Sequence, residues 1–261
     1  MPTSHEQMAK RLRDAYMSGA ISPLRDGLAP TDVDSAYAIQ HINTRYWVSQ
    51  GRRIVGRKIG LTAKAVQAQL GVYQPDFGVL FDDMMIENGG VLQPSHTLQP
   101  KAEAEVALVL GKDLTMPDPT PDDIADAAEY AMAALEIVDS RIGDWKIQFA
   151  DTVADNGSSA FFVLGDTRKS LAGLDLYTCG MAMEINDEIV SVGSGAACLG
   201  HPLKAAAWLA KTLVSVGQPL RAGDIVLTGA LGPMVALNPG DQIVARVGGL
   251  GTAKLTYGDI S

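Results

Sequence analysis

The chain has 261 residues, 47% hydrophobic and 20% charged, enough to bury a good core as one large domain or as a small domain attached to a larger one. A net charge of −9 without any Lys/Arg cluster argues against nucleic acid or an anionic membrane as partner. Only Cys179 and Cys198 are present, which excludes a disulfide framework and a cysteine-based zinc site.

The N-terminal stretch is charged, helical in pattern and lacks the apolar core of a signal peptide. Met8, Leu12 and Tyr16 recur at helical spacing, and Ser18-Gly19 ends that segment. A second helix fits Thr31 to Gln50, with Ala36, Ile39, Ile42 and Trp47 as inner positions. These helices give a division into a helical part, 1–52, and a β-rich domain, 53–261. No apolar run approaches the ~20 residues a membrane helix needs, and the chain reads as cytoplasmic.

RIVGRKIGL (53–61) reads as a strand, followed by a short helix from Thr62 to Leu70 and the turn-rich QPDFG (74–78). Short extended pieces flank Asn88-Gly89-Gly90, and KAEAEVALVLGKDL (101–114) is the strongest strand. Pro117, Pro119 and Pro121 mark a loop before a helix from Asp122 to Ala134; EIVDSR (136–141) and FFVLG (161–165) read as strands. A hairpin turns at Asn186-Asp187, and a helix opens at Pro202 and closes at Gly217. DIVLTGAL, QIVARV and AKLTY are short strands. Without regular βαβ alternation, the pattern indicates an α+β or β-rich fold.

Three carboxylates lie in apolar runs. In a strand, Glu103 and Glu105 point the same way, with Ala104, Val106, Leu108 and Leu110 on the opposite face. Paired carboxylates repel unless something positive lies between them, and a third carboxylate, Glu136, in another apolar run points to a divalent cation, Mg²⁺ or Mn²⁺. A solvated edge strand, or an ion pair of Glu136 with Arg141, would leave the same pattern. Lys58, between Gly56 and Gly60, is either a surface lysine or a group orienting a substrate carboxylate or a proton. Asp76 is a turn residue or a general base. Asn156 and Ser158 sit in the polar loop DTVADNGSS, and Thr228 ends a strand where a hydroxyl and backbone N–H groups suit a carboxylate. His5, His41, His96 and His201 have no metal-ligand spacing, and nucleotide and serine-hydrolase motifs are absent.

The segments AYAIQHIN (36–43), QGRRIVGRKIGLT (50–62), LGVYQPDFGVLF (70–81), QPKAEAEVALVL (99–110), LEIVDSRIGDWKIQFADTVADN (135–156), CLGHPLKAAAWLA (198–210) and LTGALGPMVALNPGD (227–241) strongly resemble the 2-keto-4-pentenoate hydratases of the fumarylacetoacetate hydrolase-like superfamily. The resemblance runs through nearly the whole chain in order. It implies a mixed β-rich roll with a helical N-terminal part, and 53–261 as the catalytic domain. It implies Glu103, Glu105 and Glu136 as ligands of Mg²⁺ or Mn²⁺, and Lys58 and Asp76 as catalytic residues. Leu80, Ser158 and Thr228 would bind substrate. Gly157 departs from the alanine expected in DNGSS, a change bearing on loop stiffness.

The implied reaction hydrates 2-hydroxypenta-2,4-dienoate to 4-hydroxy-2-oxopentanoate in the meta-cleavage catabolism of aromatic compounds. Homo-oligomeric assembly and association with the aldolase of the next step are further expectations. The rivals are 4-oxalocrotonate decarboxylase, a C–C bond hydrolase and a non-catalytic partner subunit. Trp145 in WKIQF and the LTGALGP segment look more like hydratases than decarboxylases.

Overall fold

The computed structural model describes residues 3–69 and 71–259. Helix α1 (His5–Ser18) begins with a capping box, in which Ser4 Oγ accepts from Gln7 N–H and Gln7 Oε1 accepts from Ser4 N–H. Gly19, at φ +91°, ends it. Helix α2 (Val33–Ser49) starts under Asp32, whose carboxylate accepts from Ser35 N–H. Their apolar faces close on a short later helix, so Met8, Leu12, Ala36 and Ile39 share a buried cluster with Phe149, Ala150 and Val153.

The rest of the chain forms two sheets from β1 (Ile54–Gly60), β2 (Asp76–Phe81), β3 (Met85–Ile86), β4 (Val91–Leu92), β5 (Lys101–Leu110), β6 (Ala128–Val138), β7 (Ser159–Leu164), β8 (Gly180–Ile185), β9 (Glu188–Ser194), β10 (Ile225–Ala230), β11 (Val235–Ala236), β12 (Gln242–Val247) and β13 (Gly251–Tyr257). The larger sheet runs β2-β1-β10-β5-β6-β7-β3, with β11 against β5, and the smaller runs β4-β13-β12-β8-β9. The helices that alternate with these strands along the chain are α3 (Lys64–Gln69), α4 (Pro121–Ala127), α5 (Phe149–Ala154) and α6 (Pro202–Ser215). The principal core joins one face of the larger sheet to the smaller sheet and to α6. No described helix is long and apolar enough to cross a membrane.

This is the expected β-rich roll, and several local expectations need correction. The helix placed over Asp122–Ala134 stops at Ala127, and strand β6 begins at Ala128. Residues 128–138 pair with β5 from Lys101↔Val138 to Leu110↔Ala128, and β7 pairs on the other edge from Ala134 to Val138. Alanines at 131 and 133 let the smaller sheet approach closely, and this pairing overrides their helical preference. The strand read over EIVDSR ends at Val138. QPDFG is not only a turn, since Asp76 is the first residue of β2. The loop read over 151–159 begins inside α5, which ends at Ala154, and continues as a turn in which Asn156, Gly157 and Ser158 have φ of 58°, 61° and 55°. The short helix expected to end at Leu70 spans Lys64–Gln69, and Leu70 lies outside the described residues. The Asn186-Asp187 hairpin forms as expected, with φ of 53° and 67° at its two turn residues.

Candidate active site

Side-chain alternation places Lys58, Asp76, Leu80, Glu103, Glu105 and Glu136 on one face of the larger sheet. Glu103 pairs directly with Glu136, and Glu105 with Ala134, across β5 and β6. Ala104, Val106, Leu108 and Leu110 point the other way into the principal core. On β1, Lys58 lies beside Gly78 of β2, and Gly60 beside Asp76. Asp76 and Leu80 therefore share the face of Lys58, at the two-residue spacing of a strand.

The glycines make room for this. A Cβ on Gly60 would sit 2.1 Å from Asp76 Oδ1, and one on Gly157 would sit 2.8 Å from Lys58 Cε. A Cβ on Gly78 would meet the Asn156 carbonyl oxygen at 2.3 Å. The loop after α5 is thus seated directly on β2, and Asn156 fixes it there. Its side chain accepts from Val79 N–H at 2.7 Å and donates to Val79 O at 3.0 Å.

Lys58 Nζ lies 3.2 Å from Glu136 Oε1 and donates to Oε2 at 3.3 Å, with both side chains buried. Arg141, the alternative partner for Glu136, instead ion-pairs with Asp155 at 2.5 Å. Burial opposes the charge on Lys58, but Glu136, Asp76, Glu103 and Glu105 together outweigh it and raise its pKa. Asp76 is raised chiefly by burial, against the pull of Lys58. Glu103 is pushed up to about 7, by burial first and then by the charge of Glu136. Glu105 is raised well above the ordinary range by burial, then by Glu136 and Glu103.

Glu103, Glu105 and Glu136 bring one oxygen each within 4.8 Å of one another, the only such group of three potential metal ligands among the described residues. Glu105 Oε1 is buried with no hydrogen-bond donor, and Glu105 Oε2 accepts from Gly229 N–H at 2.8 Å. Concentrated negative charge, an unsatisfied carboxylate oxygen and an all-oxygen donor set fit a hard divalent cation. Asp76 Oδ1 is also buried and unsatisfied.

Ser158 is buried, with its hydroxyl 3.2 Å from Thr152 Oγ1, and Leu80 is wholly buried in an apolar cluster with Phe162 and Leu227. Thr228 is buried and its hydroxyl donates to Val106 O at 2.9 Å, so the group of the Thr-Gly pair that meets Glu105 is the N–H of Gly229. Gly229 has φ +111° and packs on Thr62, a support the sequence reading missed, although the Thr-Gly at the strand end marked the position. Also missed was Lys101, two residues before Glu103 on the same face, with Nζ 4.3 Å from the centre of the Trp145 ring.

The fumarylacetoacetate hydrolase C-terminal family model matches residues 53–256. The 2-keto-4-pentenoate hydratase 1 of Dechloromonas aromatica (strain RCB) is 56% identical over 255 residues, 97% of each chain. The 2-keto-4-pentenoate hydratase of Paraburkholderia xenovorans (strain LB400) is 52% identical over 257 residues, 98% of this chain and 96% of that one. Among solved structures, 4-oxalocrotonate decarboxylase from Pseudomonas putida G7, complexed with magnesium and adipate, superposes with a TM-score of 0.92 at 35% identity over 97% of both chains. The chain belongs to the fumarylacetoacetate hydrolase family, in the group of the 2-keto-4-pentenoate hydratases.

Proposed function

We propose that this chain is a hydro-lyase converting 2-hydroxypenta-2,4-dienoate and water to 4-hydroxy-2-oxopentanoate in the meta-cleavage catabolism of aromatic compounds. One observation carries the reading: 56% identity to a 2-keto-4-pentenoate hydratase across 97% of both chains, against 35% to the decarboxylase. The three clustered carboxylates and Lys58 supply chemistry that suits it.

The reaction needs a proton removed from the 2-hydroxyl and one delivered to C5, then water added with its oxygen at C4 and a proton at C3. Glu103, Glu105 and Glu136 would hold the cation, Mg²⁺ or Mn²⁺. When bound, it supplies Lewis-acid stabilisation of negative charge developing on the 2-oxygen. Lys58, kept protonated by its carboxylate neighbours, orients the substrate carboxylate or delivers a proton. Asp76 has a buried, unsatisfied Oδ1 and a raised pKa, which suit it to take a proton from the attacking water. Ser158 holds the substrate carboxylate through its hydroxyl. Leu80 provides an apolar wall, and Thr228, fixed on Val106, steadies the backbone carrying Gly229. Homo-oligomeric assembly, a cytoplasmic setting and association with the aldolase that consumes the product belong to the same reading.

The test is turnover of freshly generated 2-hydroxypenta-2,4-dienoate by chelated protein, with and without Mg²⁺ or Mn²⁺. We expect metal-dependent loss of the dienoate ultraviolet absorbance, with 4-hydroxy-2-oxopentanoate as product. Release of CO₂ from 2-oxo-3-hexenedioate, with no dienoate turnover, would assign the chain to the decarboxylases instead.

A further inference from the structure

The turn Asn156–Ser158 combines three features. Its three residues have positive φ, of 58°, 61° and 55°, although only the middle one is glycine. Such backbone costs energy and persists only where surrounding groups over-determine it. The turn also lies against the site, because the space a Cβ on Gly157 would need is filled by the end of Lys58, and Ser158 follows directly. Finally, one buried side chain grips the segment at both ends.

That side chain is Arg141, which is 2% exposed. Its Nε donates to Asp155 Oδ1 at 2.5 Å, and its backbone N–H donates to Asp155 Oδ2 at 2.9 Å. Nη2 donates to the carbonyl oxygen of Asp155, the residue entering the turn. Nη1 donates to the carbonyl of Ser159, the residue leaving it, at 3.2 Å, and to Asp139 O at 2.6 Å. Only a guanidinium presents a planar fork of donors able to hold two such carbonyls and a carboxylate together. The ring of Tyr16 from α1 lies 5.3 Å from the guanidinium carbon, beside a cavity of about 50 Å³ that Arg141, Asp155, Asn156 and Ser159 also line.

We infer that Arg141 is a positioning residue for the hydratase reaction: by clamping both ends of the left-handed turn it sets Gly157 against Lys58 and Ser158 toward the substrate. It acts through these residues without touching substrate. The inference rests on the proposed hydratase reading for its kinetic consequence, whereas its structural consequence is independent of that reading.

The experiment compares wild type with Arg141→Lys, Arg141→Ala and Asp155→Asn. Mg²⁺ affinity is measured by calorimetry, dienoate kinetics with and without added guanidinium chloride, and backbone hydrogen exchange on the metal-free proteins. Loss of the clamp should shift the turn by a fraction of its own width. The expected result is a kcat lowered about 100-fold in Arg141→Lys, as for displacement of a catalytic group by ~1 Å. KM should change less, and Mg²⁺ affinity should stay unchanged. Exchange should quicken at residues 155–159 ahead of the sheets, and guanidinium, entering the enlarged cavity, should restore part of the kcat of Arg141→Ala but none in Arg141→Lys.

A wild-type kcat in Arg141→Lys overturns the proposal. So does an even rise in exchange across the chain, or loss of Mg²⁺ affinity in step with activity, since either makes Arg141 a general core ion pair. If Arg141→Ala does not fold, Arg141→Lys and Asp155→Asn decide by the same readouts. If wild type does not turn over the dienoate, the hydratase reading fails, and the hydrogen-exchange pattern alone upholds or overturns the clamp.

Discussion

Lys58 is a buried cation placed among Asp76, Glu103, Glu105 and Glu136, so its removal tests chemistry and electrostatics together. Lys58→Ala should lower turnover roughly 100- to 10,000-fold, the range for loss of a positioned proton-transfer group. Mg²⁺ binding, followed by calorimetry, should persist because the three glutamates remain. A wild-type kcat would remove Lys58 from the mechanism. At this scale much was legible in the sequence. The E-x-E spacing put Glu103 and Glu105 on one face whatever the rest of the fold did, and the glycines around Lys58 marked a crowded place. The partner of Arg141 was not legible. Five residues from Glu136 it was a reasonable ion pair, but β6 ends at Val138 and the chain turns Arg141 toward Asp155. Asp155 lay in a stretch read as polar loop, with nothing local to mark it as buried.

Among the elements, β10 shows how the sheet itself aims a carboxylate. Its register with β5 shifts between Leu227 and Ala230, and the irregularity turns the Gly229 N–H onto Glu105. Gly229→Ala places a methyl 2.4 Å from Thr62 Cγ2 at a φ of +111°, so the backbone must move and that N–H with it. The expected outcome is Mg²⁺ affinity about 10- to 100-fold weaker by calorimetry, the usual consequence of disturbing a group that orients a metal ligand. Unchanged affinity would show that Glu105 orients itself. Strand and helix assignments were legible where the pattern was strong, as in β5 and α6. They failed where long-range pairing decided: Ala128–Ala134 looks helical in isolation and is a strand because β5 pairs along it, with β7 joining only at Ala134. Sheet order was not legible at all, since β10 joins β1 to β5 across more than a hundred residues of chain.

For the whole molecule, the carboxylate cluster ties stability to pH and to metal. Glu103, Glu105 and Asp76 all keep their protons to higher pH in the folded chain than carboxylates ordinarily do, Glu103 to about 7. From the ordinary carboxylate range up to that value, the folded metal-free chain binds protons that the unfolded chain has released. Its stability therefore falls as pH rises through this window and is greatest below it. Chelated protein should show a Tm that declines from about pH 5 to about pH 8. Added Mg²⁺ should raise the Tm more at the upper end, where the glutamates have no protons to displace. A Mg²⁺ effect independent of pH would mean the three carboxylates are not the ligands.

The direct pairing of Glu103 with Glu136 carries one more consequence. A slip of a single residue between β5 and β6 during folding would break that pairing, and if β5 turned over it would carry both its glutamates into the layer between the sheets. No site for a cation would then exist. Binding favours only the correct alignment, so the ion would act as a proofreader of assembly: refolding in Mg²⁺ should yield fewer misaligned chains than refolding in chelator.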